Sequence, residues 1–439
     1  MSGMKRNLVL ALAVAAAVAA PSAFATNGYF AHGYGTKSKG LAGAGVAFSQ
    51  DAMAAATNPA GMAMVGNRWD FGAALFSPDP RSYEASAIGG GLGANGGAAG
   101  TGNVQSANDI FLIPHFGMNW MLDANSSFGV TVYGNGGMNT EYRADKTPFG
   151  LGVFGSGAAP TGSAGVDLGQ LFVAATYAKK FAPMASWGIS GIFAYQRFKA
   201  DGLANFATIS NDGTNLSEKG YDNSNGFGAK LGIQGEVSPG VTLGASYQTE
   251  MAMGEFDKYK GLFAENGDFD IPSTWTVGVA WATTPTSVLT FDIQKINYED
   301  VKSIANPISK LTGCMGGNMA NCLGGSDGIG FGWKNMTVYK LGYQWKSGSD
   351  MTWRAGYSQG DQPIPDSEVL FNILAPGVIE KHVTFGLTKQ MGKNDELSFA
   401  AMHALNNDVS GVNTFGAPAQ TVKLEMKQYE FELSWAKKF

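Results

Sequence analysis

The sequence predicts an all-β protein, a fourteen-stranded antiparallel transmembrane β-barrel with an N-terminal hatch (plug) in its lumen. Three observations predict it: a glycine-rich and charge-poor composition, a secretory leader, and a two-residue apolar rhythm whose connections alternate between short and long. Each follows from elementary chemistry.

Of 439 residues, 62 are glycine and only 15% are charged, while 12% are aromatic. Average soluble domains carry about 7% glycine and roughly 25% charged residues. Phe, Tyr and Trp at this density supply apolar surface that disordered chains lack. So much glycine also argues against a helical bundle, since each costs roughly 1 kcal/mol inside a helix. The net charge of −5 offers no footprint for phosphate, which excludes nucleic acid as a partner. Beyond the N-terminus no apolar run reaches the ~18 residues of a spanning helix, so any membrane span must be built from strands.

The first element is an address. Lys5 and Arg6 precede the apolar run Leu8 to Ala20 and the small-residue triplet Ala23-Phe24-Ala25. This is the charged region, apolar region and A-x-A cleavage site of a secretory signal peptide, so residues 1–25 are expected to be removed. The exported chain then divides into a plug, 26–66, and a barrel, 67–439. Its two cysteines, Cys314 and Cys322, flank a short Gly- and Asn-rich stretch. In an exported protein this spacing predicts a disulfide closing a small surface loop. Metal is the alternative, but two thiolates without a nearby histidine make a poor zinc site, and neither metal nor cofactor is expected.

From Asn67 onward, apolar and small or polar side chains alternate. Successive side chains of a strand point to opposite faces, so each strand gains one apolar face. In the last segment Tyr429, Phe431, Leu433, Trp435 and Phe439 share one parity, and Gln428, Glu430, Glu432, Ser434 and Lys438 the other. The rhythm places strands at 67–78, 108–122, 127–138, 167–181, 187–200, 225–238, 241–254, 273–283, 288–299, 333–346, 351–361, 380–391, 396–405 and 423–438. Six turn-like connections alternate with seven long ones, at about 79–107, 139–166, 201–224, 255–272, 300–332, 362–379 and 406–422. An even strand count with short turns at one end and long loops at the other is the pattern of an outer-membrane barrel. The bilayer requires closure, because no water inside it can satisfy an open edge. A soluble sandwich has no reason to keep one end's loops long.

Thr26 to Gly66 do not read as a strand. They contain Gly40-Leu41-Ala42-Gly43-Ala44-Gly45-Val46-Ala47, Asp51 and Asn58-Pro59-Ala60-Gly61. A nucleotide-binding reading fails, because the spacing is G-x-x-G-x-G and no β-α-β unit surrounds it. A compact segment of small residues ahead of a large barrel can instead fold into the lumen. These residues, with the strand count and the terminal Phe439, make the chain resemble the FadL/TodX family of outer-membrane transporters for hydrophobic compounds. The resemblance implies a hatch carrying the Asn58-Pro59-Ala60 motif and passive uptake of long-chain fatty acids, with monoaromatic hydrocarbons as the alternative cargo. It implies capture in a groove among the outer loops, a pocket inside the barrel, and sideways exit through a wall gap at a kinked third strand. Here that strand carries Gly134-Asn135-Gly136-Gly137, and glycine clustered inside a strand marks a bulge or close backbone approach. A frayed strand end is the other reading.

Parity assigns candidate chemistry. If the apolar parity faces lipid, Lys230, Lys340 and Arg354 face the lumen with Glu236, Glu250, Asp292, Glu430 and Glu432. Inward bases can pair with a fatty-acid carboxylate. They can equally pair with the inward acids or the hatch, since charges in a plugged lumen need partners. Among the outer loops, Leu203, Phe206 and Ile209 in one and Phe256, Tyr259, Leu262, Phe263, Phe269 and Ile271 in another carry more apolar surface than loops usually expose. By resemblance they form the capture groove, and packing on one another is compatible with it. Lys258 and Lys260 beside them can attract an anionic head group or lipopolysaccharide phosphate. A diffusion porin and a lipase are the rival classes. His32, His115, His382 and His403 lie far apart and no G-x-S-x-G elbow occurs, which argues against a hydrolase. The expected partners are the hydrophobic ligand, outer-membrane lipid and lipopolysaccharide, and the barrel-assembly machinery through Phe439, with the chain a monomer.

Overall fold

The computed structural model describes residues 26–86, 102–147, 152–158, 161–413 and 419–439. The leader and nearly all of the glycine-rich stretch at 88–102 lie outside the described residues.

Among the described residues, eighteen strand segments form one sheet. In chain order they are β1 (Arg68–Ser77), β2 (Arg81–Ala85), β3 (Gly102–Gln105), β4 (Phe111–Met121), β5 (Ser126–Asn139), β6 (Tyr142–Arg143), β7 (Ser163–Ala182), β8 (Ala185–Asp201) and β9 (Asp222–Ser238). The rest are β10 (Val241–Gln248), β11 (Ala252–Met253), β12 (Thr274–Thr284), β13 (Ser287–Ile296), β14 (Met336–Ser347), β15 (Met351–Gly360), β16 (Lys381–Met391), β17 (Asp395–Asn413) and β18 (Gln420–Lys438). Fourteen of them span the wall, each antiparallel to the next, and β1 pairs with β18 from Arg68↔Lys438 to Ser77↔Tyr429. The sheet therefore closes on itself, as a bilayer demands. Short segments β2, β3 and β6 sit within stretches that the sequence reads as loop, while β11 falls inside the strand expected at 241–254, which breaks off after Gln248. The first two form a hairpin on the outer end of β18, through Val422↔Ala85 to Met426↔Arg81. Strand β17 also runs eight residues past its expected end. There Asn406, Asn407 and Asp408 break the apolar alternation, because this part of the strand stands above the lipid.

The apolar parity is on the outside. Phe71, Leu75, Trp281, Leu341, Phe385, Leu433 and Trp435 are all exposed on the wall. Inside, the same strands change character along their length. At the loop end β18 turns Val422, Leu424 and Met426 inward, β17 turns Met402 and Ala404, and β14 turns Met336 and Val338, all buried. Toward the short turns the inward residues become Gln428, Glu430 and Glu432, Glu396 and Ser398, and Lys340 and Gln344. The lumen thus has an apolar upper storey, continuous with the outer loops, and a charged lower one.

Two of the acids assigned to the lumen lie elsewhere. Glu236 is exposed at a short turn, where its carboxylate accepts from the Gly240 amide at 2.7 Å. Glu250 is exposed above the end of β10, where the strand rhythm has already stopped.

Candidate functional site

The lower storey is filled by residues 26–66. Lys39 Nζ lies 2.8 Å from Glu430 Oε1 and 2.6 Å from Glu432 Oε2, and Lys37 Nζ lies 2.6 Å from Glu396 Oε2. Burial alone would push the Lys39 ammonium down, but the two glutamates outweigh it and hold it above the ordinary lysine range. Gly45 and Val46 amides donate to Asp292 Oδ2 at 2.7 and 2.9 Å. Asn58 is fully buried. Its amide nitrogen donates to Val46 O and to the wall carbonyl of Ile233, and its oxygen accepts from the Ala60 amide at 3.1 Å. Pro59 sits at the first position of the following 3-10 turn, where a missing N–H costs nothing.

The wall is shaped to receive this segment. A Cβ at Gly188 would fall 2.4 Å from the Pro59 carbonyl carbon, one at Gly244 2.3 Å from Val46 O, and one at Gly232 2.0 Å from Asn58 Oδ1. Glycine inside a strand permits this close approach of a second backbone. Glycine at these three wall positions is thereby accounted for.

Lys230, Lys340 and Arg354 are buried on the lumen wall, and all three bond to the N-terminal segment. Lys230 Nζ donates to Ala56 O, Lys340 Nζ to His32 O at 3.1 Å, and Arg354 to Gln50 Oε1 at 2.9 and 3.2 Å.

The third spanning strand, β5, loses one neighbour part-way along. It pairs with β4 only from Met121↔Ser127 to Phe116↔Val132. Above that, β5 continues along β7 to Asn139 with a register shift at Asn135, while Phe111 to His115 of β4 bond to β1 alone. The stretch left free on β5 is covered from inside. Ala31 N donates to Asn135 O, and Gly137 N to Tyr29 O, both at 3.0 Å. A Cβ at Gly136 would fall 2.0 Å from Tyr29 O. The wall closes again farther out, through Ala107 N to Glu141 O at 2.8 Å and Asn108 Nδ2 to Asn139 Oδ1 at 2.9 Å. The result is a window, not a slit. Sequence reasoning had one unused signal for it: Pro114 lies in β4 at the window's edge, and proline is confined to strands that lack a full set of neighbours.

The apolar loop residues do not form an open groove. Leu203, Phe206, Phe256, Tyr259 and Phe263 are exposed by no more than 4%, and Ile209 by 8%. Phe198 packs on Phe256, Tyr259 and Phe263 with ring centroids 5.7, 4.8 and 4.6 Å apart. The covering partners come from the loops at 300–332 and 362–379, among them Phe331, Phe371 and Leu374, which no local pattern joins to this cluster. Leu203, Phe206, Leu262 and Phe263 do line a crevice with these residues and Val166, Ser303, Leu323 and Ile329, and none of its lining residues is ionisable. Its volume is about 40 Å³, below the roughly 150 Å³ of a cavity that takes benzene, so a ring-sized ligand must displace side chains. From it, aromatic contacts run Phe263 to Phe269 at 4.8 Å, Phe269 to Tyr29 at 6.2 Å and Tyr29 to Phe30 at 5.1 Å, reaching the segment that covers the window.

Lys258 donates to Tyr221 O at 2.6 Å and Lys260 lies 3.5 Å from Asp212, so both tie the loop at 255–272 to the loop at 201–224. Cys314 and Cys322 are disulfide-bonded. Ser358 Oγ lies 3.0 Å from His382 Nδ1, but the other ring nitrogen of His382 has no hydrogen-bond partner and its ring stacks on His32. A serine nucleophile needs a base oriented by a third group.

No similarity to a curated protein sequence was found. Among solved structures, the toluene transporter TodX of Pseudomonas putida is 16% identical, with a TM-score of 0.65 over 94% of this chain and 100% of that one. A FadL homologue of Pseudomonas aeruginosa, also 16% identical, gives 0.66 over 94% and 100%. The toluene transporter TbuX of Ralstonia pickettii gives 0.59 at 16% identity over 93% and 99%. A model of the outer membrane protein transport family (OMPP1/FadL/TodX) matches residues 12–433. A closed fourteen-stranded wall and a family match over nearly the whole length lead to one conclusion: the chain belongs to the OMPP1/FadL/TodX family of outer-membrane transporters for hydrophobic compounds.

Proposed function

We propose that the chain carries uncharged hydrophobic molecules of about one aromatic ring inward by diffusion. Cargo enters among the outer loops, rests in the apolar crevice, passes the Phe269 and Tyr29 rings and leaves through the window between β4 and β5. The N-terminal segment acts as a hatch that denies water a path. The observation that carries this reading is the crevice lining, which holds no ionisable side chain. Apolar cargo partitions poorly into a water-filled pore and well into such a lining. The relatives described as toluene transporters support the same class. The chain works as a monomer, with lipid and lipopolysaccharide around it and Phe439 as its assembly signal.

A second reading, long-chain fatty acids, rests on Lys230 and Lys340. Both border a small polar space with Tyr34, Gln248 and Thr276, where a carboxylate would find two ammonium groups. Uptake of radiolabelled toluene and of oleate by cells carrying only this channel separates the two. Toluene uptake well above that of channel-free cells, with oleate at background, is the expected result. Oleate uptake that is lost in Lys230→Met and Lys340→Met would replace the first reading with the second. A large steady ion current through the intact chain in a planar bilayer would refute both in favour of a diffusion porin.

A further inference from the structure

We propose that a second cleft, between the disulfide loop and the outer end of β17, is the vestibule through which uncharged apolar cargo reaches the crevice. This rests on the transport reading above. The cleft has a volume of about 650 Å³ and opens to solvent between residues 307–315, 365–370 and 412–413. Ile308, Leu311 and Leu370 line it, and its rim carries Met315 and Val412, exposed by 71% and 52%. Apolar surface held open in this way marks a binding site more often than an accident of packing.

What commits the cleft to cargo is its floor. Gly332 and Leu370 line the cleft, while their chain neighbours Phe331 and Phe371 line the crevice. The two spaces therefore lie on either side of the same two chain segments. The backbone of these segments is pinned. Asn372, fully buried, accepts from Trp333 Nε1 at 2.5 Å and donates to Phe331 O at 2.7 Å and Glu368 O at 2.8 Å. Passage must come from side chains, and Phe371 is the one placed to turn: it stands edge-on to Phe206, centroids 5.3 Å apart, inside the crevice.

The charges around the cleft say what kind of cargo it takes. Its two ionisable lining residues are already engaged, Glu368 accepting from the Ile308 amide at 2.8 Å and Lys334 lying 3.3 Å from Glu299. Neither is left for an anionic head group, so the occupant is neutral. The vestibule also stands on different loops from the 201–224 and 255–272 pair that the sequence suggested.

The test narrows the rim at exposed positions, where folding is not at risk. The double variant Met315→Trp/Val412→Trp is compared with Met319→Trp, exposed by 53% and outside the cleft. The readout is the initial rate of toluene uptake by cells at subsaturating toluene. The expected result is a drop of at least fivefold in the double variant and an unchanged rate in Met319→Trp. A double variant with the wild-type rate overturns the vestibule and leaves the proposed function standing. Absence of toluene uptake by the unaltered chain overturns the proposed function and the vestibule with it.

Discussion

Replacing Gly136 by alanine isolates the contact between the N-terminal segment and the window. The added methyl would sit 2.0 Å from Tyr29 O and 3.2 Å from Phe30 Cα, and both neighbours are backbone. Residues 29–31 must therefore move away from β5. Two hydrogen bonds go with them, Ala31 N to Asn135 O and Gly137 N to Tyr29 O, each 3.0 Å long. At a net ~0.5–1.5 kcal/mol per bond the covered state loses about 1–3 kcal/mol. That is roughly a 5- to 150-fold shift toward the uncovered state. Amide hydrogen exchange in the detergent-solubilised protein reads this directly, since the Ala31 and Gly137 amides are the two donors and should lose protection by that factor. Gly191→Ala is the control, because a Cβ there meets nothing within 4 Å. Unchanged protection of Ala31 and Gly137 in Gly136→Ala would refute the reasoning, as would an equal loss in the control.

Lys39→Met should lower stability by about 3–5 kcal/mol, the cost of leaving buried carboxylates without their partner, and neutralising Glu430 and Glu432 in the same chain should recover most of it; denaturant unfolding of the refolded protein measures both. Deleting residues 26–66 should leave a foldable barrel with sharply higher single-channel conductance, and conductance equal to that of the intact chain would contradict a hatch. The loop at 255–272 should respond to pH. Burial first and Asp270 second raise the Asp268 carboxyl to about 8. A raised acid favours the folded loop while it is protonated, so protection of the loop amides, corrected for intrinsic exchange, should fall as pH rises from about 5 to above 8. Asp268→Asn should remove that fall.

The wall was legible because lipid imposes a strict period of two, as in Val277, Val279 and Trp281. That rule stops at the membrane surface, which is why β2, β3, β6 and the outer end of β17 went unread. The lumen was legible only in part. Parity put Lys230, Lys340 and Arg354 inside, but their partners are backbone of residues 26–66 and Gln50, and backbone carbonyls leave no trace in a pattern of side chains. The same holds for Gly188, Gly232 and Gly244, whose purpose appears only against the backbone that lies on them. The loop residues Phe206 and Phe263 announced an apolar cluster. Their burial depends on Phe371 and Phe331, more than 60 positions further along, and no local rhythm links such distant loops.

The clamp on the N-terminal segment has a consequence for the order in which the molecule is made. Lys39 is among the earliest exported residues to leave the ribosome, yet both of its carboxylate partners lie on β18, as does that of Thr36, 396 positions away at Glu432. The same strand zips onto β1. Nothing can hold residues 36–39 in their final seat until almost the whole polypeptide has been synthesised, so ring closure and seating of these residues draw on one late arrival.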